Sequence, residues 1–338
     1  MGGTFVSFSK IMPLCIYEVS CSIDQKFNCY TKTVRKMNVY KSYSEALKEK
    51  YGEKVYKLPI NLDITCPNRD GKIGRGGCIF CGECGAGFES LENKLTVKEQ
   101  LEKNMAYIGP RYGAKKFIAF FQNFTNTYMP VEDFEKNIYE TNIKNIVEVC
   151  ISTRPDCVEK EHMEILKRFS LETGINVSLE LGLQTANEKT LEIIRRGHGF
   201  KAFEDATKLI HSYGFPVCAH IIADLPWDSD EDVGFTAKKL AALSVDGVKL
   251  HSLYVVKGTE LARMYESGEV KLLEKDDYVR RAILLLRNLK PDCVIERIIG
   301  RAPEEDTLIA NFNTSWWLIK EEIEAVMEEN GYRQGDLY

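Results

Sequence analysis

The chain has 338 residues, which is enough for one large domain or two small ones. It is 44% hydrophobic and 28% charged, as is typical of globular proteins, and its lack of any run of 18 apolar residues predicts no membrane span. The net charge of −5 gives no overall sign of nucleic-acid binding, although it is compatible with a local basic patch. The odd number of cysteines, eleven, and their grouping between 66 and 84 favour a metal site in a reducing, cytoplasmic setting.

Residues 1–36 carry the least information. Lys10 and the absence of a basic start with a small-residue cleavage site argue against a signal peptide, and the spacing of Cys15, Cys21 and Cys29 matches no common ligand pattern. We predict that this segment is a poorly ordered or adventitious extension and that the natural chain starts at Met37. Residues 38–57 predict a short helix followed by a basic stretch that leads into the first strand. Its lysines and tyrosines suit phosphate and bases, but a solvated helix face is the more common explanation.

The most informative stretch follows the first predicted strand. Residues 57–65 alternate apolar and polar side chains, which predicts a strand, and a glycine-rich loop with the spacing C-x11-C-x2-C follows it. Because glycine permits positive φ, this loop can wrap closely around a bulky group. Cys66, Cys78 and Cys81 are therefore predicted to surround one metal centre at the C-terminal end of the strand.

Two kinds of metal centre fit these thiols. Structural zinc prefers four closed ligands, and Cys84 offers a fourth sulfur. The run Cys78-x2-Cys81-x2-Cys84 also starts like a bacterial ferredoxin pattern, but position 88 is phenylalanine where that pattern needs cysteine. An iron–sulfur cluster held by three thiolates keeps one iron open for another molecule, and Phe80 is placed to shield such a cluster from water.

The segments Cys66-Pro-Asn-Arg-Asp-Gly71 and Gly77-Cys-Ile-Phe-Cys81 resemble the cluster motif of radical S-adenosylmethionine (SAM) enzymes. They are closest to the wide-spaced form found in the elongator catalytic subunit and, in particular, in the YhcC-like proteins. The resemblance covers about residues 38–338. It implies that Cys66, Cys78 and Cys81 hold a 4Fe-4S cluster, that the amino and carboxylate groups of SAM chelate its fourth iron, and that Cys84 is not a ligand.

Strand and helix patterns alternate along the rest of the chain. The predicted strands are 57–65, 116–121, 145–152, 176–183, 217–223 and 247–255. The predicted helices are 96–108, 131–143, 160–173, 188–196, 202–213 and 230–243. Six β/α units with right-handed crossovers predict a partial (β/α)6 barrel over residues 37–290, which is also the fold that the resemblance implies. A doubly wound sheet is the competing fold, but no G-x-G-x-x-G follows the first strand.

A helix at 276–289 and a strand at 292–298 are predicted next, before a last helix at 318–330. We predict that residues 291–338 form a short C-terminal α/β cap. Arg297, Arg301 and Trp316 are candidates for closing the barrel mouth over substrate, although core packing explains the tryptophan equally well.

Because β/α barrels carry their chemistry at the C-terminal ends of strands, the polar residues at those ends are candidate cofactor contacts. The second strand ends at Gln122, where many radical SAM enzymes have a Gly-Gly-Glu turn that holds the amino group of SAM. The carboxylate is absent here, and Gln122 is the candidate contact. The third strand ends near Ser152 and Arg154, which suit the ribose and carboxylate of SAM, although Arg154 is equally suited to pairing with a neighbouring carboxylate.

The fourth strand contains Glu180-x-Gly182-x-Gln184, which resembles the E-x-G-x-Q strand of the family. The resemblance implies that Glu180 and Gln184 contact SAM and that Arg196, twelve residues after Gln184, pairs with its carboxylate. A guanidinium suits a carboxylate because it can donate two parallel hydrogen bonds. The alternative for Arg196 is a helix-end cation favoured by the helix dipole.

The fifth and sixth strands supply the predicted apolar surface for adenine. The stretch Asp224-Leu-Pro-Trp-Asp228 matches the Gly-Leu-Pro-Gly-Glu position of the family, with Asp224 and Trp227 in place of glycines. The predicted adenine contacts are Ile222, Leu225 and Leu253. No catalytic residue is assigned, but His251 and Lys257 are candidates that face substrate. A structural role is the more common one for a lone histidine.

The resemblance implies an enzyme that cleaves SAM reductively to a 5′-deoxyadenosyl radical, with flavodoxin or ferredoxin as electron donor. Likeness to the elongator subunit makes the wobble uridine side chain of tRNA the candidate substrate, but no room remains for an acetyltransferase domain. One alternative is an oxidoreductase acting on a small molecule or a protein. A second is a non-catalytic iron–sulfur electron-transfer module, which would bind iron without cleaving SAM.

Overall fold

The computed structural model of the chain describes residues 38–82, 90–300 and 306–338. The predictions for residues 1–36, Cys84 and Arg301 lie outside these ranges. Residues 38–338 form one compact unit. Within the described residues, no helix has both the length and the apolar character needed to cross a lipid bilayer.

Seven parallel strands form one curled sheet with the order β1-β2-β3-β4-β5-β6-β8. The strands are β1 Val55–Ile60, β2 Lys116–Phe121, β3 Ile146–Thr153, β4 Asn176–Gln184, β5 Val217–Ile222, β6 Gly247–His251 and β8 Val294–Arg297. Neighbours in the sheet follow each other along the chain without reversal, as in a barrel and unlike a doubly wound sheet. The predicted partial barrel is therefore confirmed.

The sheet has one strand more than the six predicted for the barrel. β8 pairs in parallel with β6, so the segment after residue 290 contributes a barrel strand as well as later elements. Two further short strands, β7 Val255–Val256 and β9 Thr307–Ile309, pair with each other in a separate antiparallel ribbon. The domain boundaries placed at 37 and 290 stay predictions.

The helices connect successive strands and follow the predicted alternation. They are α1 Tyr43–Tyr51, α2 Val97–Tyr112, α3 Val131–Tyr139, α4 Lys160–Thr173, α5 Glu188–Ile193, α6 Phe200–Ser212, α7 Asp230–Ala242, α8 Glu260–Glu266, α9 Lys275–Asn288 and α10 Trp316–Glu329. Thr96 caps α2 with a reciprocal capping box to Glu99.

The two faces of the sheet have different chemistry. Side chains that point to the helices, such as Leu58, Val149 and Leu181, belong to the main apolar core. Side chains on the other face point into the barrel, where Val55, Phe120 and others form a small apolar cluster with Leu47 of α1. On the chain segment before α1, Ser42 forms a parallel bridge to Ile295 at the free edge of β8, so this segment lies beside the last strand of the sheet.

A layer of charged residues also lies inside the barrel. Glu180 of β4 is fully buried and binds Lys57 of β1 and Lys249 of β6, the latter at 2.8 Å between Nζ and Oε2. Lys57 also lies 2.6 Å from a carboxylate oxygen of Glu296 in β8. These ion pairs join both edge strands to the middle of the sheet.

Candidate cofactor and active site

One large cavity of about 2040 Å³ runs from the cysteine loop into the interior of the barrel. It gathers most of the residues predicted from strand ends. Those that line it are Cys66, Cys78, Cys81, Gln122, Ser152, Arg154, Gln184, Arg196, Ile222, His251, Leu253 and Lys257. Glu180 and Leu225 lie beside the cavity and do not line it.

The cysteine loop is held in place by backbone hydrogen bonds. The N–H of Gly77 donates to Asn68 O at 2.9 Å, and the N–H of Ile79 donates to Ile194 O at 3.1 Å. Gly77 has a φ of 86°, a left-handed conformation that favours glycine. The loop therefore packs against the chain that follows α5, which brings Arg196 to the cysteines.

Polar N–H groups point at the sulfur atoms of Cys78 and Cys81. Asn68 Nδ2 lies 3.6 Å from Cys78 Sγ, and Arg196 Nη1 lies 3.6 Å from the same sulfur. Arg69 Nη1 lies 3.3 Å from Cys81 Sγ. Burial raises the pKa of Cys81, and the Arg69 cation acts against that shift by favouring the thiolate.

The sulfur of Cys66 has a more distant donor, with Arg154 Nη1 at 4.0 Å. The Arg154 guanidinium is fixed by two hydrogen bonds to Asp156, at 2.9 and 2.7 Å, and Nη1 also donates to Arg196 O at 2.9 Å. The structure therefore shows the alternative role of Arg154, which is an ion pair with a neighbouring carboxylate. Its predicted contact with SAM stays a prediction.

The donor set fits an iron–sulfur cluster. Cysteine thiolates are the usual cluster ligands, and hydrogen bonds to their sulfurs stabilise the thiolate and set the reduction potential. Within the described part of the chain, no three His, Cys, Asp or Glu side chains converge on the position of a single metal ion. A 4Fe-4S cluster does not require this, because it spreads its cysteine ligands over different iron atoms.

The end of β4 is distorted in a way that exposes Gln184 and Gly182 to the cavity. The pairing of β4 with β5 shifts register between Gly182 and Gln184, and Gln184 has a φ of 82°. Such an irregular strand end redirects side chains and is common beside active sites. The carbonyl of Gly182 accepts a 2.6 Å hydrogen bond from Arg196 Nη2.

Arg196 is buried and aimed into the cavity. The predicted helix extended to this residue, but α5 ends at Ile193, so Arg196 lies in the following turn and is not part of the helix. Its Nε is buried without a hydrogen-bond partner, and no carboxylate of the described residues forms an ion pair with its guanidinium. An arginine that lines the cavity and has no carboxylate partner is suited to an incoming carboxylate.

Glu180 is committed to the ion pairs inside the barrel. Burial by itself raises the pKa of Glu180, but the neighbouring Lys249 and Lys57 outweigh it and hold the pKa well below its ordinary value. His220 Nε2 completes the set at 2.6 Å from the carboxylate. The partners of Glu180 give it a structural role inside the barrel. Its predicted contact with SAM stays a prediction.

The predicted substrate-facing residue His251 belongs to a chain of hydrogen bonds. Its Nε2 lies 3.2 Å from His220 Nδ1, and its Nδ1 lies 2.9 Å from Arg297 Nη2. Burial is the main reason that the pKa of His220 falls to about 4, and burial followed by the Arg297 charge holds the pKa of His251 well below its ordinary value. Both rings are therefore neutral at pH 7.

Four residues inside the barrel were not predicted as part of the site. They are Lys57, His220, Lys249 and Glu296. A signal was present, because these residues occupy alternate, inward positions of their strands. Reading each barrel strand for charged residues on its inner face, and not only at its end, would have found them.

The predicted adenine contacts divide into two groups. Ile222 and Leu253 line the cavity, whereas Leu225 is fully buried behind them in the same apolar cluster. Asp224, which replaces a family glycine, accepts a 2.7 Å hydrogen bond from the N–H of Leu253. This bond ties the end of β5 to the end of β6. Among the other candidates, Lys257 is exposed at the cavity rim.

The sequence of this chain is similar to known proteins along most of its length. Residues 70–240 match the Radical SAM superfamily, and residues 245–329 match the Radical_SAM C-terminal domain. The chain is 35% identical to Protein YhcC of Escherichia coli K12 over 287 residues, which cover 84% of this chain and 91% of that protein.

Two more distant likenesses involve proteins of tRNA modification or elongator type. The chain is 32% identical to the tRNA uridine(34) acetyltransferase of Methanocaldococcus jannaschii over 153 residues, 44% of this chain and 27% of that protein. The structure of the archaeal Methanocaldococcus infernus Elp3 with an N-terminal deletion superposes with a TM-score of 0.64 at 18% identity, and covers 83% of this chain and 64% of that chain.

Asp224 generates a prediction for the pH dependence of stability. Burial raises its pKa to about 7 in the folded protein, compared with an ordinary value of 3.8. Between these pH values only the folded state holds the proton, so the free energy of unfolding falls as pH rises, by up to about 1.4 kcal/mol per pH unit from this group. Asp224→Asn cannot ionise, and we expect a flatter profile between pH 4 and 7 in denaturant unfolding.

The matched control for this experiment is Asp276→Asn, whose side chain is 90% exposed. That variant is expected to keep the pH profile of the wild type. Parallel profiles for the wild type and Asp224→Asn would contradict the assignment of a buried, protonated Asp224.

Proposed function

Because the chain belongs to the radical SAM superfamily, whose members use a 4Fe-4S cluster and SAM, we propose that Cys66, Cys78 and Cys81 hold the cluster in this enzyme. When bound and reduced, the cluster supplies the electron that splits SAM into methionine and a 5′-deoxyadenosyl radical, which abstracts hydrogen from a substrate. The observation that carries the proposal is the arrangement of three cavity-lining cysteines, each with an N–H donor, directly beside Arg196.

The residues of this chain that would position SAM surround the cysteines. The guanidinium of Arg196, which lines the cavity, is the proposed partner of the SAM carboxylate. Gln122, Ser152 and Gln184 offer polar groups on the same side of the cavity, and Ile222 and Leu253 offer the apolar surface for adenine. Two protein parts restrict water at this site. Phe80 packs with the apolar cluster beside the cysteines, and the polar interior of the barrel is closed below by Phe120 and its neighbours.

For the substrate, we propose tRNA modified at a uridine side chain. The support is the similarity to the tRNA uridine(34) acetyltransferase and to human Elongator complex protein 3, which is 28% identical over 171 residues. A local basic and aromatic surface adds support: Tyr56 stacks on Tyr112 at 4.8 Å, and Lys54 lies over both rings. Such surfaces suit single-stranded nucleic acid.

The competing candidate is an oxidoreductase acting on a small molecule or a protein, for which the negative net charge is the favouring observation. A non-catalytic electron-transfer module is disfavoured, because a cluster carrier does not need Arg196 with an unpaired buried Nε. We further infer a flavodoxin or ferredoxin as electron donor and a cytoplasmic location. The described cysteines, all free thiols, are compatible with that location.

Cluster binding is tested with Cys78→Ala. Loss of one of three thiolates should remove most of the iron after anaerobic reconstitution and reduce 5′-deoxyadenosine formation, measured after dithionite reduction, by at least about 100-fold. The matched control is Cys157→Ala, a nearby half-buried thiol that is not among the proposed ligands. Full SAM cleavage by Cys78→Ala would refute the proposed mechanism.

The position of Arg196 is tested through Gly182. A Cβ at Gly182 would lie 2.6 Å from Arg196 Nη2 and 3.1 Å from Gln184 Nε2, so Gly182→Ala must displace the guanidinium. We expect SAM affinity, measured by equilibrium dialysis on reconstituted protein, to fall about ten-fold or more, because a charge-assisted pair contributes about 1.5–3 kcal/mol.

The control for Gly182→Ala is Gly234→Ala in helix α7, where a Cβ would meet no atom within 4 Å. This variant should bind SAM like the wild type. Equal SAM affinities for both variants would mean that Arg196 does not hold the SAM carboxylate.

The substrate is tested by nucleoside mass spectrometry of tRNA from a strain that lacks the gene, compared with its parent. We expect one modified uridine to disappear while its precursor accumulates. Unchanged nucleosides would favour the small-molecule or protein substrate. A gel shift with purified tRNA should weaken steeply with added salt if the basic surface contacts phosphates.

A further inference from the structure

The inner part of the cavity is lined by charged residues that SAM binding at the strand ends does not use. Three cations, Lys57, Lys249 and Arg297, face two carboxylates, Glu180 and Glu296. The neutral histidines add no charge, so the described residues of this layer carry at least one positive charge in excess. Burial, the main influence on Glu296, raises its pKa, which can only increase that excess.

A directional hydrogen-bond chain fixes one of these cations. Because Glu180 only accepts, His220 donates its Nε2–H to the carboxylate and accepts on Nδ1 from His251 Nε2–H. His251 Nδ1 is then left as an acceptor, and Arg297 Nη2 donates to it at 2.9 Å. The buried Glu180 thus sets the tautomer of both rings and the orientation of the Arg297 guanidinium.

Arg297 itself has no anionic partner among the described residues. Of the described residues, only the neutral His251 accepts a hydrogen bond from its guanidinium, and its Nε is buried without any partner. The guanidinium lies close to the backbone of Gly300, where an added Cβ would come within 3.1 Å of Cζ. A half-buried, oriented guanidinium that lines a cavity and has unused N–H groups is suited to binding an anion.

We propose that Arg297 anchors an oxyanion, a carboxylate or a phosphate, of the substrate inside the barrel. This inference deepens the proposed function, because it rests on SAM occupying the cysteine end of the same cavity. The substrate class is then a molecule or a nucleoside side chain that carries its negative group into the barrel. The guanidinium N–H groups of Arg297 that do not donate to His251 are the proposed donors to the oxygens of such a group.

The test measures thermal unfolding of the anaerobically reconstituted protein with excess SAM, which occupies Arg196, at constant ionic strength set with chloride. Sodium acetate probes the carboxylate source, and inorganic phosphate probes the phosphate source. An oxyanion that binds only the folded state raises Tm, and the rise grows with the logarithm of 1 + [anion]/Kd. We expect at least one of the two anions to raise the Tm of the wild type. Arg297→Gln should require at least a ten-fold higher anion concentration for the same shift.

Two further variants control the experiment. Gly300→Ala keeps the arginine but crowds its guanidinium, because the new Cβ would lie 3.1 Å from Cζ, and it should weaken the anion response. Arg168→Gln removes an arginine that is 48% exposed on the outer helix α4, and should respond like the wild type. A Tm response to acetate, to phosphate or to both supports the anchor if Arg297→Gln loses it. Which anion responds then identifies the substrate group as a carboxylate or a phosphate.

Two results would overturn the inference: no response of the wild type to either anion, or an equal response in the wild type and Arg297→Gln. Equilibrium dialysis of labelled SAM on the same samples separates this failure from failure of the proposed function. Absence of SAM binding contradicts the proposed function, whereas SAM binding with an unchanged anion response in Arg297→Gln contradicts only the Arg297 anchor.

Discussion

The buried carboxylate of Glu180 is the interaction on which the interior of this barrel depends. It binds Lys57, Lys249 and His220, which lie on three other strands, and Lys57 continues the network to β8. Replacing a whole buried ionic group by apolar residues is often neutral, but removing one partner leaves a buried charge unpaired at a cost of about 3–5 kcal/mol. The ion pairs therefore act chiefly by specifying which side chains meet at the centre of an incomplete barrel.

This network also divides the interior into levels with different chemistry. Below it, Val55, Phe120 and Leu47 form an apolar plug. Above it, hydrogen bonds lead through His220 and His251 to Arg297, and the wall then continues to Arg196 and the cysteine loop. Polarity inside the barrel is thus arranged along its axis, with the proposed cluster at the strand ends and the proposed anion anchor deeper in the barrel. A substrate held between them would lie next to SAM.

The sequence predicted the parts of this site that are encoded locally. The cysteine spacing and the glycines of one loop were sufficient to group Cys66, Cys78 and Cys81. The Gly182–Gln184 strand end and Arg196 were found by their resemblance to the family's E-x-G-x-Q strand. The sequence did not predict that Arg196 lies beyond the end of its helix, because helix ends depend on tertiary contacts such as the Ile79–Ile194 backbone bond.

Other features depend on residues that are far apart in the chain. The pairing of Lys57 with Glu180 and Glu296 joins positions separated by 123 and 239 residues, and no local pattern predicts that buried charges will meet. The strand at 292–298 was predicted, but its membership of the barrel sheet was not, since its place in the sheet is set by pairing with β6. The burial of Leu225 behind Ile222 and Leu253 likewise follows from packing and not from the strand-end position that was used to select it.

The central claim is that the three cysteines hold a cluster whose open iron binds SAM beside Arg196. Electron paramagnetic resonance of the reduced, anaerobically reconstituted protein tests this most directly, with spectra recorded before and after addition of SAM. The account predicts a 4Fe-4S signal whose g values change on addition of SAM, because the ligands of one iron change. A cluster signal that stays the same at saturating SAM, or no cluster signal at all, would contradict it.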